Sequence, residues 1–306
     1  MIPTVLLASI IIFLIMRFIP GDIVALMVAN QEGDVRELMA TIRHNLGLDV
    51  PIYIQYARWM GDIIIHGDLG VSLWKGTPVI EEIAARWPVT LELSILGLII
   101  GQLIAIPIGI YSALRQDKWG DYIGRSFAIL CISVPGFWLG TMIIVFPSIW
   151  WGYMPSIMLI PFTEDPLGNL KMFIIPAVVL GMALSGATMR MTRTMVLEVL
   201  RQDYIRTAWG KGLRERVIVI RHALKNALIP VVTVIGMQVP ILVGGSVIIE
   251  QIFCLPGIGR LTVSAITERD YPIVSGVMLL FAVALVLINL MVDLTYGYLD
   301  PRVHYK

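Results

Sequence analysis

Six long apolar runs punctuate the chain: Ile2–Ile19, Val89–Leu114, Tyr122–Phe146, Phe173–Met189, Ala227–Ile249 and Ile273–Tyr296. Each approaches or exceeds the roughly 20 residues that an α-helix needs to cross the hydrocarbon core of a bilayer, and none alternates with the period of a strand. The first would be about 27 Å long at about 1.5 Å per residue, enough to cross with little tilt. It has no charged start, and Pro20-Gly-Asp22 follows it where a signal peptide would carry small residues for cleavage. It therefore reads as a retained span whose cytoplasmic lead-in is missing or very short, with Arg17 snorkelling to the interface from near its end. Pro107, with Gly101 and Gly109, predicts a kink in the second run, and Pro135-Gly136 interrupts the third. Trp150 and Trp151 follow the third run at the depth of an aromatic belt.

Between the first two runs, residues 20–88 are polar enough to be in water. Asp34 and Glu37 are spaced as a capping box, and Val35, Leu38, Met39, Ile42 and Leu46 form one helical face closed by Gly47. Pro51 opens a second amphipathic helix, with Tyr53, Tyr56, Trp59, Met60, Ile63 and Ile64 apolar, and His66-Gly-Asp-Leu-Gly70 ends it. Acidic side chains outnumber basic ones; a long loop weighs little under the positive-inside rule, but nothing here conflicts with an outside location, and the segment reads as a helical cap on the outer face.

Residues 194–226 are the opposite in sign. Arg201, Arg206, Lys211, Arg214, Arg216, Arg221 and Lys225 face only Glu198, Asp203 and Glu215. A Lys or Arg at the bilayer centre costs roughly 2.5–3.5 kcal/mol on insertion scales, so this segment cannot span, and its balance assigns it to the cytoplasm. Met195, Val196, Val199, Leu200 and Tyr204 make an apolar stripe at helical spacing. Gly210 and Gly212 bracket Lys211 as a turn, and a second helix over 213–226 runs without a break into the next apolar run. Six spans counted from a cytoplasmic N-terminus place this segment, the 115–121 turn and the C-terminus on the same side. Topology and charge bias agree.

Composition narrows the chemistry. With 57% hydrophobic and only 15% charged residues, the chain belongs to the membrane class, and its net charge of +1 hides the sorting of charge by position. Cys131 and Cys254 have no metal or disulfide spacing and read as packing residues. His44, His66, His222 and His304 are scattered, so no metal site is expected. Gly70–Thr77 resembles a nucleotide-binding loop only loosely, because Lys75 precedes its Gly, and no nucleophile–base or paired-carboxylate arrangement stands out. The chain is not expected to be an enzyme, nor to bind nucleic acid. Glu92 and Asp293 lie near span ends, where a structural carboxylate is the simpler reading; a proton-driven carrier would bury more ionisable groups at the midplane. Met182, Met189, Met191, Met237 and Phe281 read as helix packing. No internal repeat is visible, which weakens the case for an inverted-repeat carrier.

The order of residues in the basic segment is specific: Tyr204-Ile-Arg206-Thr207-Ala208, then Gly212, then His222-Ala-Leu-Lys-Asn226, with Pro230 beyond. It resembles the "EAA" coupling loop of binding-protein-dependent ABC importer permeases, in particular the dipeptide/oligopeptide/nickel branch. Ile19-Pro-Gly-Asp22, His66-Gly-Asp-Leu-Gly70, Gly244-Gly-Ser246 through Glu250, Pro256-Gly257-Ile-Gly259, Arg269-Asp270-Tyr-Pro272, Asn289–Asp293 and Asp300-Pro-Arg302 carry the likeness along nearly the whole chain. Trp209 and Gly210 stand where the branch usually has Arg-Ala, and the customary Arg-rich lead-in is absent, as in a trimmed start.

The resemblance implies an all-α integral membrane protein with the six-helix type I importer permease fold. Its parts would be a first span (2–19), an extracytoplasmic helical cap (20–88) and a permease core (89–306) containing the coupling loop 194–226. It further implies a plasma (inner) membrane location, a homologous second permease, two ATPase subunits that bind ATP and Mg2+, and an external substrate-binding protein; this chain would bind no cofactor. Tyr204, Arg206, Thr207, Ala208, Lys211, Gly212, Arg214, His222 and Asn226 would couple it to the ATPases, His222 and Asn226 by stabilising the second helix where it meets the membrane. Glu250, Pro256, Gly257 and Asp270 would form an outer gate or binding-protein contact. Peptides are the expected cargo, with nickel complexes, glutathione or short oligosaccharides as alternatives. A stand-alone secondary carrier and a regulatory scaffold are the competing classes.

Overall fold

The computed structural model describes residues 2–18, 23–28, 35–45, 47–152 and 158–299. Its helices are α1 Ile2–Phe18, α2 Ile23–Val28, α3 Val35–Asn45, α4 Ile52–Gly61, α5 Val79–Leu114, α6 Trp119–Ser133, α7 Gly136–Trp151, α8 Pro166–Leu200, α9 Asp203–Gly210, α10 Glu215–Val217, α11 Leu224–Ile252, α12 Ile258–Glu268 and α13 Tyr271–Leu299. π turns at Asp62–His66 and Ile218–Ala223 continue α4 and join α10 to α11. Among the described residues there is no strand, only an isolated bridge between Val71 and Pro78. Two compact units emerge, residues 1–86 with 261–286, and residues 87–260 with 287–306.

Among the described residues, four helical stretches are long and apolar enough to cross a membrane: Val79–Leu114, Pro166–Leu200, Glu215–Leu242 and Tyr271–Val292. The third expected span is broken. α6 and α7 meet at 93°, so the pair is one broken span or a re-entrant loop. Pro135 explains the break, since the residue before a proline avoids the helical region; Val134 is extended at ψ 119°. α1 is apolar but has only 17 residues. Among the described residues the six apolar runs are helical, and four or five of them have the length and composition of a crossing.

In the larger unit the core is built on α5, α8 and α11. Leu93, Phe173, Ala177, Leu180, Leu184, Leu242 and Ile249 are buried together. Gly97, Gly101, Ala105, Gly109 and Ala113 recur every fourth residue of α5, so they form one seam of small residues. A methyl group added at Gly101 would stand 2.9 Å from the Gly181 carbonyl oxygen, and one at Gly109 would stand 2.8 Å from that of Met189. The α5 and α8 backbones thus touch directly, as is common where helices associate in lipid and apolar burial supplies no drive. The glycines expected to kink α5 serve this contact. Buried Gln238 of α11 donates to the Leu184 carbonyl and to Thr188 Oγ1 of α8, each at 3.0 Å. It also accepts from Gln102 of α5 at 3.2 Å.

In the smaller unit, α4 begins after Pro51, as the sequence predicts, and Gly67 closes its π turn at φ 67°. Ser72 Oγ donates to Asp270 at 2.5 Å, and the Trp74 indole donates to the Glu268 carbonyl at 2.8 Å. Arg17 does not simply snorkel: its Nε is buried, and its guanidinium lies 5.1 Å from the Phe13 ring centroid. The capping box at Asp34, the Leu46 position, Ile19–Asp22, the Asp293 side chain and Asp300–Arg302 lie outside the described residues.

Candidate functional site

The basic segment folds into a helical hairpin whose boundaries differ from those its apolar stripe suggested. Met195, Val196, Val199 and Leu200 belong to the end of α8; the chain then breaks at Arg201-Gln202 and α9 starts at Asp203. Asp203 in the first turn of α9 suits the helix dipole. At the other end, Gly212 is left-handed at φ 75°. Its N–H donates to the Trp209 carbonyl at 2.9 Å, and that of Leu213 reaches back to Ala208 at 3.4 Å. This paired pattern is a Schellman motif, in which a glycine takes the left-handed position at least cost. Gly210, by contrast, is an ordinary helical residue.

The second helix starts at Glu215, two residues later than expected, and passes through the π turn Ile218–Ala223 before joining α11. Ile205 and Ala208 of α9 pack on Ile218 and Ala223, with Val199 and Leu200 closing the side. The hairpin therefore has its own small core. Asn226 Nδ2 donates to the Tyr204 hydroxyl at 2.9 Å, tying α11 back to α9. His222 is half-buried in the π turn.

What faces outward is mixed. Tyr204, Trp209, Leu213, Val217 and Ile220 are exposed apolar surface, and Arg206, Thr207, Lys211 and Arg214 are exposed beside them. Arg206 reaches Asp203 only at 3.5 Å, with both side chains more than three-quarters exposed, so its charge stays available. An exposed apolar patch edged by charge is the usual mark of a protein-docking surface. Of the predicted coupling residues, Ala208 alone is buried; it fills the core rather than the surface.

An ion pair that sequence reasoning missed holds the neighbouring helix ends. Arg193 of α8 grips Asp121 of α6 with two hydrogen bonds of 2.7 Å, and Ser112 of α5 donates to the same carboxylate at 2.5 Å. Asp121 is fully buried. The sequence placed it in a short turn, where nothing signalled that residues on two other helices converge on it.

The second predicted cluster divides. Glu250, at the end of α11, is fully buried. Its carboxylate accepts from Thr90 Oγ1 at 2.8 Å and from the Arg260 N–H at 3.1 Å, while Thr90 accepts from the Ile258 N–H at 2.9 Å. A side chain at Gly257 would land on the Glu250 carboxylate, and one at Gly259 on the Val247 backbone. Gly257 and Gly259 thus let the 253–260 turn fold around one carboxylate. Asp270 belongs to the other unit and is satisfied by Ser72 and the Leu73 N–H. A contact made by the Glu250 side chain with an outside protein does not fit its burial.

Residues 105–305 match the family described as the binding-protein-dependent transport system inner membrane component, and residues 1–94 match its N-terminal companion. The chain is 44% identical over 304 residues to a Brucella suis biovar 1 protein provisionally named a peptide transport system permease, covering 99% of this chain and 96% of that one. It is 38% identical over 306 residues to the glutathione transport system permease protein GsiC of Salmonella paratyphi A, covering 100% and 96%. Among solved structures, the inward-facing MetNI methionine ABC transporter aligns with a TM-score of 0.58 at 17% identity over 72% of this chain and 96% of its own. An amino acid ABC transporter aligns at 0.55 and 14%, over 72% and 94%. These two share the fold of an importer permease. From the family model it matches and from its sequence relatives, the chain belongs to the family of binding-protein-dependent transport system inner membrane components.

Proposed function

We propose that this chain lines, together with a homologous permease, the path by which an ATP-driven importer carries short peptides inward, and that residues 203–226 are the handle its ATPases move. As a permease subunit it is not an enzyme; in this family ATP hydrolysis belongs to separate ATPase subunits, which would hold ATP and Mg2+, and an external binding protein would deliver the cargo. The observation that carries the reading is the hairpin: a surface for docking, built on its own core and continuous with α11. A loop that only satisfied positive-inside bias would need no such core. Closure of the ATPases would push α9, and the Ile205–Ile218 packing would pass that displacement into α11. The Glu250 turn would act as the outer gate, with Glu250 positioning it from within. N- and C-termini would both be cytoplasmic, as the charge bias requires.

The relatives are named for peptides and for glutathione, itself a γ-linked tripeptide, so a short-peptide cargo is the common denominator. The test uses proteoliposomes of the complete transporter, with ATP inside and loaded binding protein outside. Gly212→Val should leave assembly intact but reduce peptide uptake about tenfold or more, because a β-branched residue at φ 75° costs a few kcal/mol of hairpin geometry. Uptake at the unmodified rate would refute the coupling role. Transport by this chain alone under an ion gradient would refute the importer reading itself.

A further inference from the structure

The start of α6 carries a surface that neither the coupling hairpin nor the Glu250 turn uses. On one side of this helix Asp121, Gly124, Ala128 and Cys131 are buried, so that side packs inward. The opposite side carries Trp119, Tyr122, Ile123 and Leu130, spaced so that they share one face. All of these are exposed, Trp119 to 83%. Since α6 forms an apolar broken pair with α7, the face leads from the helix end into the apolar length of the molecule.

Cations gather at one end of that face. Arg115 and Lys118 stand in the turn before α6, both exposed, and among the described residues neither is held in an ion pair. Arg125 lies one turn further on, and its guanidinium is 5.8 Å from the Tyr122 ring centroid, back toward the helix start. The nearby acids do not neutralise them. Asp121 is buried against Arg193, which leaves exposed Asp117 beside three cations. The Asp121–Arg193 pair also fixes this end of α6 to α8, and Arg201 Nη2 lies 3.5 Å from Gln116 Oε1. The cations therefore sit at the same end of the larger unit as the hairpin.

Charge at one end and an apolar face running on from it is the outline of an amphiphile. A soluble anion would need the cations without the exposed apolar side chains, and a purely apolar partner would need the reverse. Trp and Tyr favour the headgroup level of a bilayer, and Lys and Arg there attract anionic lipid. We propose that this surface binds an anionic phospholipid, its phosphate held by Arg115, Lys118 and Arg125 and an acyl chain lying along Trp119, Ile123 and Leu130. Assigning that lipid to the cytoplasmic leaflet rests on the orientation proposed above; the binding chemistry does not.

Native mass spectrometry of the delipidated, detergent-purified complex, titrated separately with dioleoylphosphatidylglycerol and dioleoylphosphatidylcholine, tests the site. Micelles present lipid to both ends of the protein, so the outcome is independent of orientation. Phosphatidylglycerol should form a saturable adduct about tenfold tighter than phosphatidylcholine does. Arg115→Gln and Lys118→Gln should each weaken it about fivefold, the effect of one basic side chain near an anionic surface. Glycerophosphoglycerol, the same headgroup without chains, should bind at least about tenfold more weakly, because it cannot cover the apolar face. Neither charge variant removes an ion pair, so thermal midpoints without lipid and retention of the ATPases should match those of the unmodified complex. Equal binding of the two phospholipids, or phosphatidylglycerol binding undiminished in both charge variants, would overturn the proposal. Equally tight binding of glycerophosphoglycerol would overturn it in favour of a soluble anion. Loss of the ATPases from the charge variants with lipid binding intact would overturn it in favour of an ATPase contact.

Discussion

Glu250 shows how much a single side chain can organise. Its carboxylate is fully buried yet accepts from Thr90 and from the Arg260 N–H, and Gly257 and Gly259 leave it room. Adding atoms to a filled site costs about 1–3 kcal/mol. Gly257→Ala should therefore lower the thermal midpoint of the purified transporter by several degrees. Gly259→Ala should lower it further, because there the obstacle is the Val247 backbone rather than a side chain that can swing. Midpoints unchanged in both variants would show that the turn is looser than this packing. The residue types at 250–259 were legible in the sequence as a family pattern. Their reason was not, because Thr90 lies 160 positions away and no local spacing announces it.

At the scale of the helices, apolar runs gave the elements, and small residues decide how they pack. A seam with period four on α5 was present in the sequence, but Gly101 and Gly109 next to Pro107 read there as a bend. Pro107 lies inside the helix Val79–Leu114, and the two glycines bring its backbone against that of α8. The tertiary contact that these glycines make had no local signal. The Asp121–Arg193 pair was hidden for a similar reason: one carboxylate in a turn carries no mark of a guanidinium 72 residues on. Removing one partner of a buried ion pair typically costs roughly 3–5 kcal/mol, since the other is left uncompensated. Asp121→Asn should thus destabilise the protein strongly. Asp121→Asn with Arg193→Met should be less destabilised than the sum of the two single changes, measured by thermal unfolding of the purified complex. Strict additivity would mean that the pair contributes no coupling between α6 and α8.

The whole molecule poses the question of how a motion made in one protein reaches a path in another. Two properties of the hairpin can be separated by experiment, its grip and its stiffness. Exposed Arg206, Lys211 and Arg214 would govern grip, and buried Ile205 would govern stiffness through its contact with Ile218 and Ala223. Arg206→Glu should therefore weaken retention of the ATPases during purification, an effect that is largest at low salt and shrinks as salt screens the exposed charge. Ile205→Ala leaves the outer face intact but opens a cavity under it, with a cost of about 2–5 kcal/mol to the local packing. It should retain the ATPases and their ATP turnover while peptide accumulation in proteoliposomes falls. If Ile205→Ala instead sheds the ATPases like Arg206→Glu, grip and stiffness are one property, and the hairpin core serves only to shape the docking face. If it transports normally, the displacement reaches α11 by a route that does not pass through this core.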